Sequence, residues 1–224
     1  MIKAFCCWSG GKDSALSLYR AQQDQQIEVT HLLNMLAEDG EHSRSHGIRA
    51  ELLKTQASAI DIPIVQRKAT ARGAISGNTY EQEFKKVVLE LKDTGVDAGI
   101  FGDIDLQVHR DWVERVCKEI EITPILLLWK GNREELITEF IDVGFKTIVV
   151  TTNANYLGKE WLGRQIDKEF VAELKALGNI DLCGEDGEFH TFVYDGPIFK
   201  HPVKFTVGEK VLKDNRWFLE IKKD

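Results

Sequence analysis

A doubly wound α/β fold, with a mostly parallel sheet and a small mixed or antiparallel subdomain at the C-terminal end, is what the sequence predicts. Three observations predict it. Apolar runs and helix-spaced apolar patterns alternate through roughly the first two thirds of the 224 residues. The run Pro124 to Trp129 is apolar throughout, as in a strand covered on both faces of a parallel sheet. From Phe189 onward the pattern alternates without helices. The expected division is an α/β domain over 1–152 and a subdomain over 153–224.

Ala4 to Trp8 is an apolar run and the first expected strand. Ser9-Gly10-Gly11-Lys12-Asp13-Ser14 ends it, and Ala15, Leu16, Leu18 and Tyr19 begin a helical pattern. Ile27 to Leu36 reads as the second strand, Glu38 to Ser45 as a loop, and Ile48 to Ile60 as a helix. Ile62 to Val65 is a short third strand, with Pro63 tolerable at its start. Arg67 to Gly77 is polar and glycine-bearing, the composition of a mobile segment, and Thr79 with Gln82 fits a capping box for the next helix. Val96 to Phe101 is the fourth strand, followed by the loop Gly102-Asp103-Ile104-Asp105. A helix with Trp112, Val113, Val116, Cys117 and Ile120 on one face comes next.

Asn132, with Glu135 three residues on, caps a helix that Gly144 stops. Lys146 to Thr151 is a sixth strand, and Asp167 to Leu177 a helix ended by Gly178. Phe189–Tyr194, Val203–Val207 and Lys210–Ile221 form the antiparallel addition, with a tight hairpin turn at Asp214-Asn215.

Composition narrows the function classes. A formal charge of −7 argues against a broad nucleic-acid surface. No apolar run reaches the about 18 residues of a membrane span. Met1-Ile2-Lys3 leads directly into a strand, so no signal peptide is expected and the setting is cytoplasmic. Cys6, Cys7, Cys117 and Cys183 form no C-x-x-C pair, which argues against a structural zinc site or dithiol redox chemistry.

The chemistry should lie at the carboxyl ends of the strands, where strand order reverses. For an order 3-2-1-4-5 the reversal falls between strands one and four, bringing Ser9–Ser14 and Gly102–Asp105 together. Adjacent glycines let the backbone approach a phosphate, and a helix N-terminus favours an anion. Lys12 adds charge; Ser9 and Ser14 add hydroxyls. The loop lacks the spacing of a Walker A motif. Asp103 and Asp105 either bind Mg²⁺ or a substrate amine, or are solvated acids at a helix start. Glu185-Asp186-Gly187-Glu188 places carboxylates in a tight turn, which taken alone reads as a charged surface turn rather than a site.

Ser-Gly-Gly-Lys-Asp-Ser resembles the pyrophosphate loop of the ATP pyrophosphatases. Together with Trp161-Leu162-Gly163-Arg164, Cys183-Gly184-Glu185-Asp186-Gly187-Glu188-Phe189-His190-Thr191-Phe192 and Asp195-Gly196-Pro197-Ile198-Phe199, it resembles the diphthine–ammonia ligase family. That resemblance implies an adenine-nucleotide alpha-hydrolase-like sheet and an ATP-dependent ligase using Mg²⁺. A carboxylate acceptor is adenylated, pyrophosphate leaves, and ammonia attacks to give an amide. Diphthine, the family's acceptor, sits on one elongation factor of archaea and eukaryotes.

The implied nucleotide site is Ser9, Gly10, Gly11, Lys12, Asp13, Ser14, Met35, Leu36, His46, Gly102 and Asp103. Asp13 and Asp103 hold the metal, and Lys12, Asp13, Glu185 and Glu188 are the catalytic set. His46 and Arg49 could face the nucleotide or the acceptor, and Arg164 either meets a phosphate or the acceptor's carboxylate or forms a surface ion pair. Trp8, Trp112 and Trp129 are expected to pack. The family's acidic turn usually reads Glu-Gly-Gly-Glu, so Asp186 is a departure. So is the acidic loop after strand four. Two other readings keep the phosphate loop: a transfer-RNA-modifying enzyme of this class, and an ATP- or AMP-binding module without turnover. Oligomeric state is not legible, and a homodimer is compatible with the sequence.

Overall fold

A computed structural model describes residues 1–44, 46–69 and 80–224. Five parallel strands, β1 (Ile2–Cys7), β2 (Ile27–Leu36), β3 (Ile64–Lys68), β4 (Ala98–Ile100) and β5 (Thr123–Ile125), lie in the order β3-β2-β1-β4-β5. The expected order is therefore borne out, with the reversal between β1 and β4. Helices α1 (Lys12–Gln23) and α2 (Ala50–Ile60) pack with Ala4, Cys6 and Leu32 on one face. Helices α3 (Tyr80–Lys92) and α4 (Gln107–Glu119) cover Phe5 and Leu33 on the other. Cys6 and Cys7 point to opposite faces, as strand alternation requires.

Helix α5 (Arg133–Asp142) starts where expected: the Asn132 side chain accepts from the Glu134 and Glu135 amides. Helix α6 (Lys168–Leu177) is capped by Asp167 and ended by Gly178 at φ 75°. The second sheet has four strands, β6 (Lys146–Asn153), β7 (Phe189–Asp195), β8 (Phe205–Lys213) and β9 (Arg216–Lys223), ordered β7-β6-β9-β8 and antiparallel. Asp214 and Asn215, at φ 49° and 59°, make the hairpin turn.

Three expectations change. The run Pro124–Trp129 is not a doubly covered strand: only Thr123–Ile125 pairs, at the sheet edge, and the chain then turns through Leu127–Lys130. Its apolar residues join both cores, Ile125, Leu127 and Leu128 on one side and Leu126 on the other, with Arg110 over the Trp129 ring. The sixth strand does not extend the parallel series. It pairs with β7 and β9 instead, so residue 152 lies inside β6. Arg67 and Lys68 belong to β3, and Val203 precedes β8, which runs unbroken through Val207 and Lys210 around a register shift. Residues 70–77 of that segment, with Ser45 and the Thr79 cap, lie outside the described residues.

Candidate active site

The phosphate loop rests on the second sheet. Gly10 adopts φ 81°, conformational space that favours glycine. Its carbonyl accepts from the Val193 amide at 2.9 Å and from Gln56 Nε2 at 3.0 Å. Gly11 is the N-cap of α1 and brings no side chain to cap it. The cap comes from β7: the Lys12 amide donates to Thr191 Oγ1 at 3.0 Å. The Gly11 amide donates to Ser9 Oγ at 3.2 Å, and Ser14 Oγ donates to the Gly11 carbonyl at 2.9 Å. Two amides expected to face a ligand are thus engaged inside the loop, which pre-orders it.

Gln56 is a clamp that sequence reasoning missed. It is fully buried, accepts from Trp8 Nε1 at 2.9 Å, and donates to the carbonyls of Gly10 and Val193. The signal was present: Gln56 interrupts the apolar face of Leu52, Leu53, Ala57 and Ile60, where an unpartnered amide would be costly.

Beside the loop lies a cavity of about 560 Å³ at the switch point. This is the size range of small-molecule sites. Ser9, Asp13, Ser14, Met35, His46, Gly102 and Asp103, all named from the sequence, line it. Leu36 does not; it sits on the opposite face of β2 from Met35, because strand side chains alternate. Gly10, Gly11 and Lys12 lie behind the lining, and Glu185 and Glu188 lie in the turn beyond Lys12. An aromatic wall went unforeseen: Tyr80, Phe84, Phe101 and Trp112 line the cavity with Trp8, so Trp8 and Trp112 do more than pack. Arg44, set over the Tyr80 ring at 5.0 Å, is the lining arginine among the described residues.

Lys12 is the electrostatic centre. Its Nζ lies 2.7 Å from both carboxylate oxygens of Asp13. Burial opposes its charge, but Asp13, Cys183 and Glu185 outweigh this and hold it up at about 12. Burial, then repulsion from Asp13, pushes Glu185 up to about 7. Its carboxyl therefore keeps its proton to higher pH than an ordinary carboxyl does. A folded-state value above the ordinary 4.5 means the native chain retains a proton that the unfolded chain releases. The stability Glu185 contributes is present below that ordinary value and lost as pH rises through about 7. Glu185→Gln should flatten the pH dependence of the melting temperature over this window; an unchanged slope would place the carboxyl in ordinary solvent.

The acidic turn is built. Glu188 is 3% exposed; Oε1 accepts the Asp181 amide at 3.0 Å, while Oε2 is buried with no partner among the described residues. Asp181 in turn accepts the Glu185 amide at 2.6 Å and pairs with Arg133 at 3.1 Å. Gly184 and Gly187 take positive φ; Asp186 does not, and it projects to solvent near Arg133. The departure at Asp186 therefore leaves the turn's backbone undisturbed.

Several expected ligands are engaged elsewhere. Arg133 takes Asp105 bidentately at 2.9 and 2.7 Å, removing it from the cavity. Arg49 pairs with Glu220 at 3.2 Å, and Arg164 is held by Glu173 against Trp161, so neither faces the nucleotide site. Asp103 accepts from His109 Nδ1 at 3.1 Å, and this bond raises the His109 pKa. Among the described residues no group of three or more His, Cys, Asp or Glu could hold a metal. All four cysteines are free, and burial pushes their thiols well up, Cys6, Cys117 and Cys183 to about 12.

A helix N-terminus carrying Ser-Gly-Gly-Lys-Asp-Ser at the switch point, beside an aromatic cavity, defines a nucleotide-binding α/β protein of the pyrophosphate-loop class. The chain belongs to the diphthamide synthase family. Residues 2–124 match the model of the diphthamide synthase N-terminal domain, and residues 132–224 that of its C-terminal domain. The diphthine–ammonia ligase of Mus musculus is 27% identical over 226 residues, spanning 91% of this chain and 83% of the mouse protein. The Homo sapiens protein of that name is 26% identical over the same shares, whereas the Schizosaccharomyces pombe protein is 26% identical with only 36% of its length covered. A looser likeness, TM-score 0.45 at 17% identity over 86% of this chain and 96% of the other, is to a predicted tRNA methyltransferase subunit of Methanocaldococcus jannaschii.

Proposed function

We propose that this chain is an ATP-dependent amide ligase that adenylates a carboxylate for attack by ammonia. The observation that carries the proposal is the meeting of three parts at one place: the phosphate loop, the aromatic cavity, and a carboxyl poised near neutrality across Lys12. The adenine lies against Met35 and the aromatic wall, and the triphosphate follows Ser9–Ser14. An acceptor carboxylate oxygen attacks the α phosphorus, and pyrophosphate departs toward the N-terminus of α1 and Lys12, where positive potential stabilises its charge.

Asp13 and Asp103 line the same cavity, with the Gly102 backbone packed against Asp13. Two carboxylates completed by phosphate oxygens and water suit Mg²⁺, and these residues would hold it. When bound, the ion neutralises charge on the phosphates. Glu185 orients the amine. Glu188 acts through the turn it holds and is a positioning residue. Residues 153–224 contribute the acceptor side, their sheet beginning with β6. Protonated thiols disfavour the sulfur-transfer chemistry of a transfer-RNA-modifying enzyme. Four free cysteines agree with a cytoplasmic setting.

The acceptor class is a protein-borne carboxylate, and diphthine, in the names of the mouse and human relatives, is the first to test. With ATP, Mg²⁺ and a diphthine-bearing protein, pyrophosphate should exchange into ATP, and added ammonium should yield AMP and an amide. Tight ATP binding without exchange would favour a non-catalytic module. Glu188→Gln should retain exchange within a few-fold while amide yield falls about 10–100-fold, an orientation effect. Full amide yield from that variant would confine Glu188 to folding.

A further inference from the structure

His46 is held in a single tautomer. Its Nδ1 lies 3.0 Å from the Thr191 carbonyl oxygen, which can only accept, so Nδ1 carries the hydrogen. In the neutral ring, Nε2 is then a bare lone pair, with no protein partner among the described residues. The ring is fixed on both sides. His190 stacks on it with centroids 4.6 Å apart at 29°. Gly11 presses from the loop so closely that a methyl group there would fall 2.3 Å from His46 Cε1. The side chain lines the cavity together with Ser9, Asp13 and Ser14.

Burial keeps both imidazoles neutral, lowering His46 and, further, His190, which also feels His46 and Arg216. For His46 the bond to the Thr191 carbonyl and the charge of Asp13 oppose this, and Lys12 adds to it. Arg44 shares the same cavity. A neutral imidazole presenting a lone pair repels a phosphate oxygen. Contact with a phosphate oxygen is thus poorly matched to the state of His46, and the same lone pair suits a proton acceptor.

We propose that His46 is the general base of the amide-forming step, a role that rests on the ligase reading above. The ammonia nitrogen pair forms the C–N bond to the acyl carbon. The C–O bond to the adenylate breaks, and its electron pair leaves on AMP. One N–H proton passes to His46 Nε2 and from there to water; nothing is oxidised or reduced.

The test is His46→Gln, whose amide can still donate to the Thr191 carbonyl but cannot serve as a base. Pyrophosphate exchange and amide formation are measured side by side, with a diphthine-bearing protein, ATP and ammonium. Amide formation should fall about 100-fold or more, and at least tenfold further than exchange. In His46→Ala, added imidazole should restore part of the amide rate in proportion to its free-base concentration. Exchange and amide formation falling in step, without imidazole rescue, would overturn the base assignment and leave the ligase standing. Absence of exchange in the unaltered chain would overturn the ligase reading itself, and the base with it.

Discussion

Lys12→Ala is expected to cut ATP cleavage by on the order of 10²–10³-fold or more while the chain stays folded. Lys12 is 5% exposed and its ammonium is held by both oxygens of Asp13, so its position is set before any nucleotide arrives. No reorganisation is then needed as charge develops on the leaving pyrophosphate. Folding should survive for two reasons. Alanine is at least as good a helix former at the start of α1. Asp13 also borders the cavity and can be hydrated there. The lost cation leaves Asp13, Glu185 and Asp103 facing one another, and the Glu185 carboxyl answers by rising further rather than by unfolding the turn. Lys12→Arg should not restore the rate, because a planar fork cannot occupy the site of a compact ammonium. The measurement is pyrophosphate exchange and AMP release, with a melting curve beside them. A cleavage rate within about threefold of the parent would remove Lys12 from the leaving-group assignment.

How much of this was legible in the sequence depends on distance along the chain. Loop and helix starts carry their signals locally: Asn132 before Glu135, Asp167 before α6, Asp214-Asn215 between strands, and the two glycines after β1 all emerge as read. Strand order and the reversal between β1 and β4 were likewise legible, because alternating elements admit few topologies. The supports of the site were not. Thr191 caps α1 from 179 residues away, and Gln56 reaches Val193 across 137. No local pattern encodes such pairings, although a glutamine on an apolar helix face is a trace of one. For Arg49, Asp105 and Arg164 the ligand reading, one of two held for Asp105 and Arg164, gives way for the complementary reason. A charged side chain near a motif looks like a ligand until its salt-bridge partner is seen, and each has one: Glu220, Arg133 and Glu173. The run Pro124–Trp129 misled because apolar continuity does not distinguish a covered strand from a turn packed on a helix.

Gln56→Leu should destabilise the protein by about 2–5 kcal/mol, the cost of leaving two or so buried polar groups unpaired. The substitution conserves volume closely, so packing loss is a minor part. What is lost is the junction. The Trp8 indole N–H has no other acceptor among the described residues, and the Val193 carbonyl loses its side-chain donor. The Gly10 carbonyl keeps the Val193 amide and suffers less. For a chain of this size the melting temperature should fall about 5–15 °C. Because Gln56 ties the phosphate loop to β7, ATP affinity should fall as well. Gln56→Glu separates hydrogen bonding from shape. A carboxylate can still accept from Trp8, but it turns a second lone-pair oxygen toward the carbonyls of Gly10 and Val193. It should therefore be at least as destabilising as leucine at neutral pH. Acidification should recover part of the loss, since a protonated carboxyl can donate where the amide did. A leucine variant melting within about 1 °C of the parent, less than the shift of a single net hydrogen bond, would mean that the phosphate loop is held by backbone contacts alone.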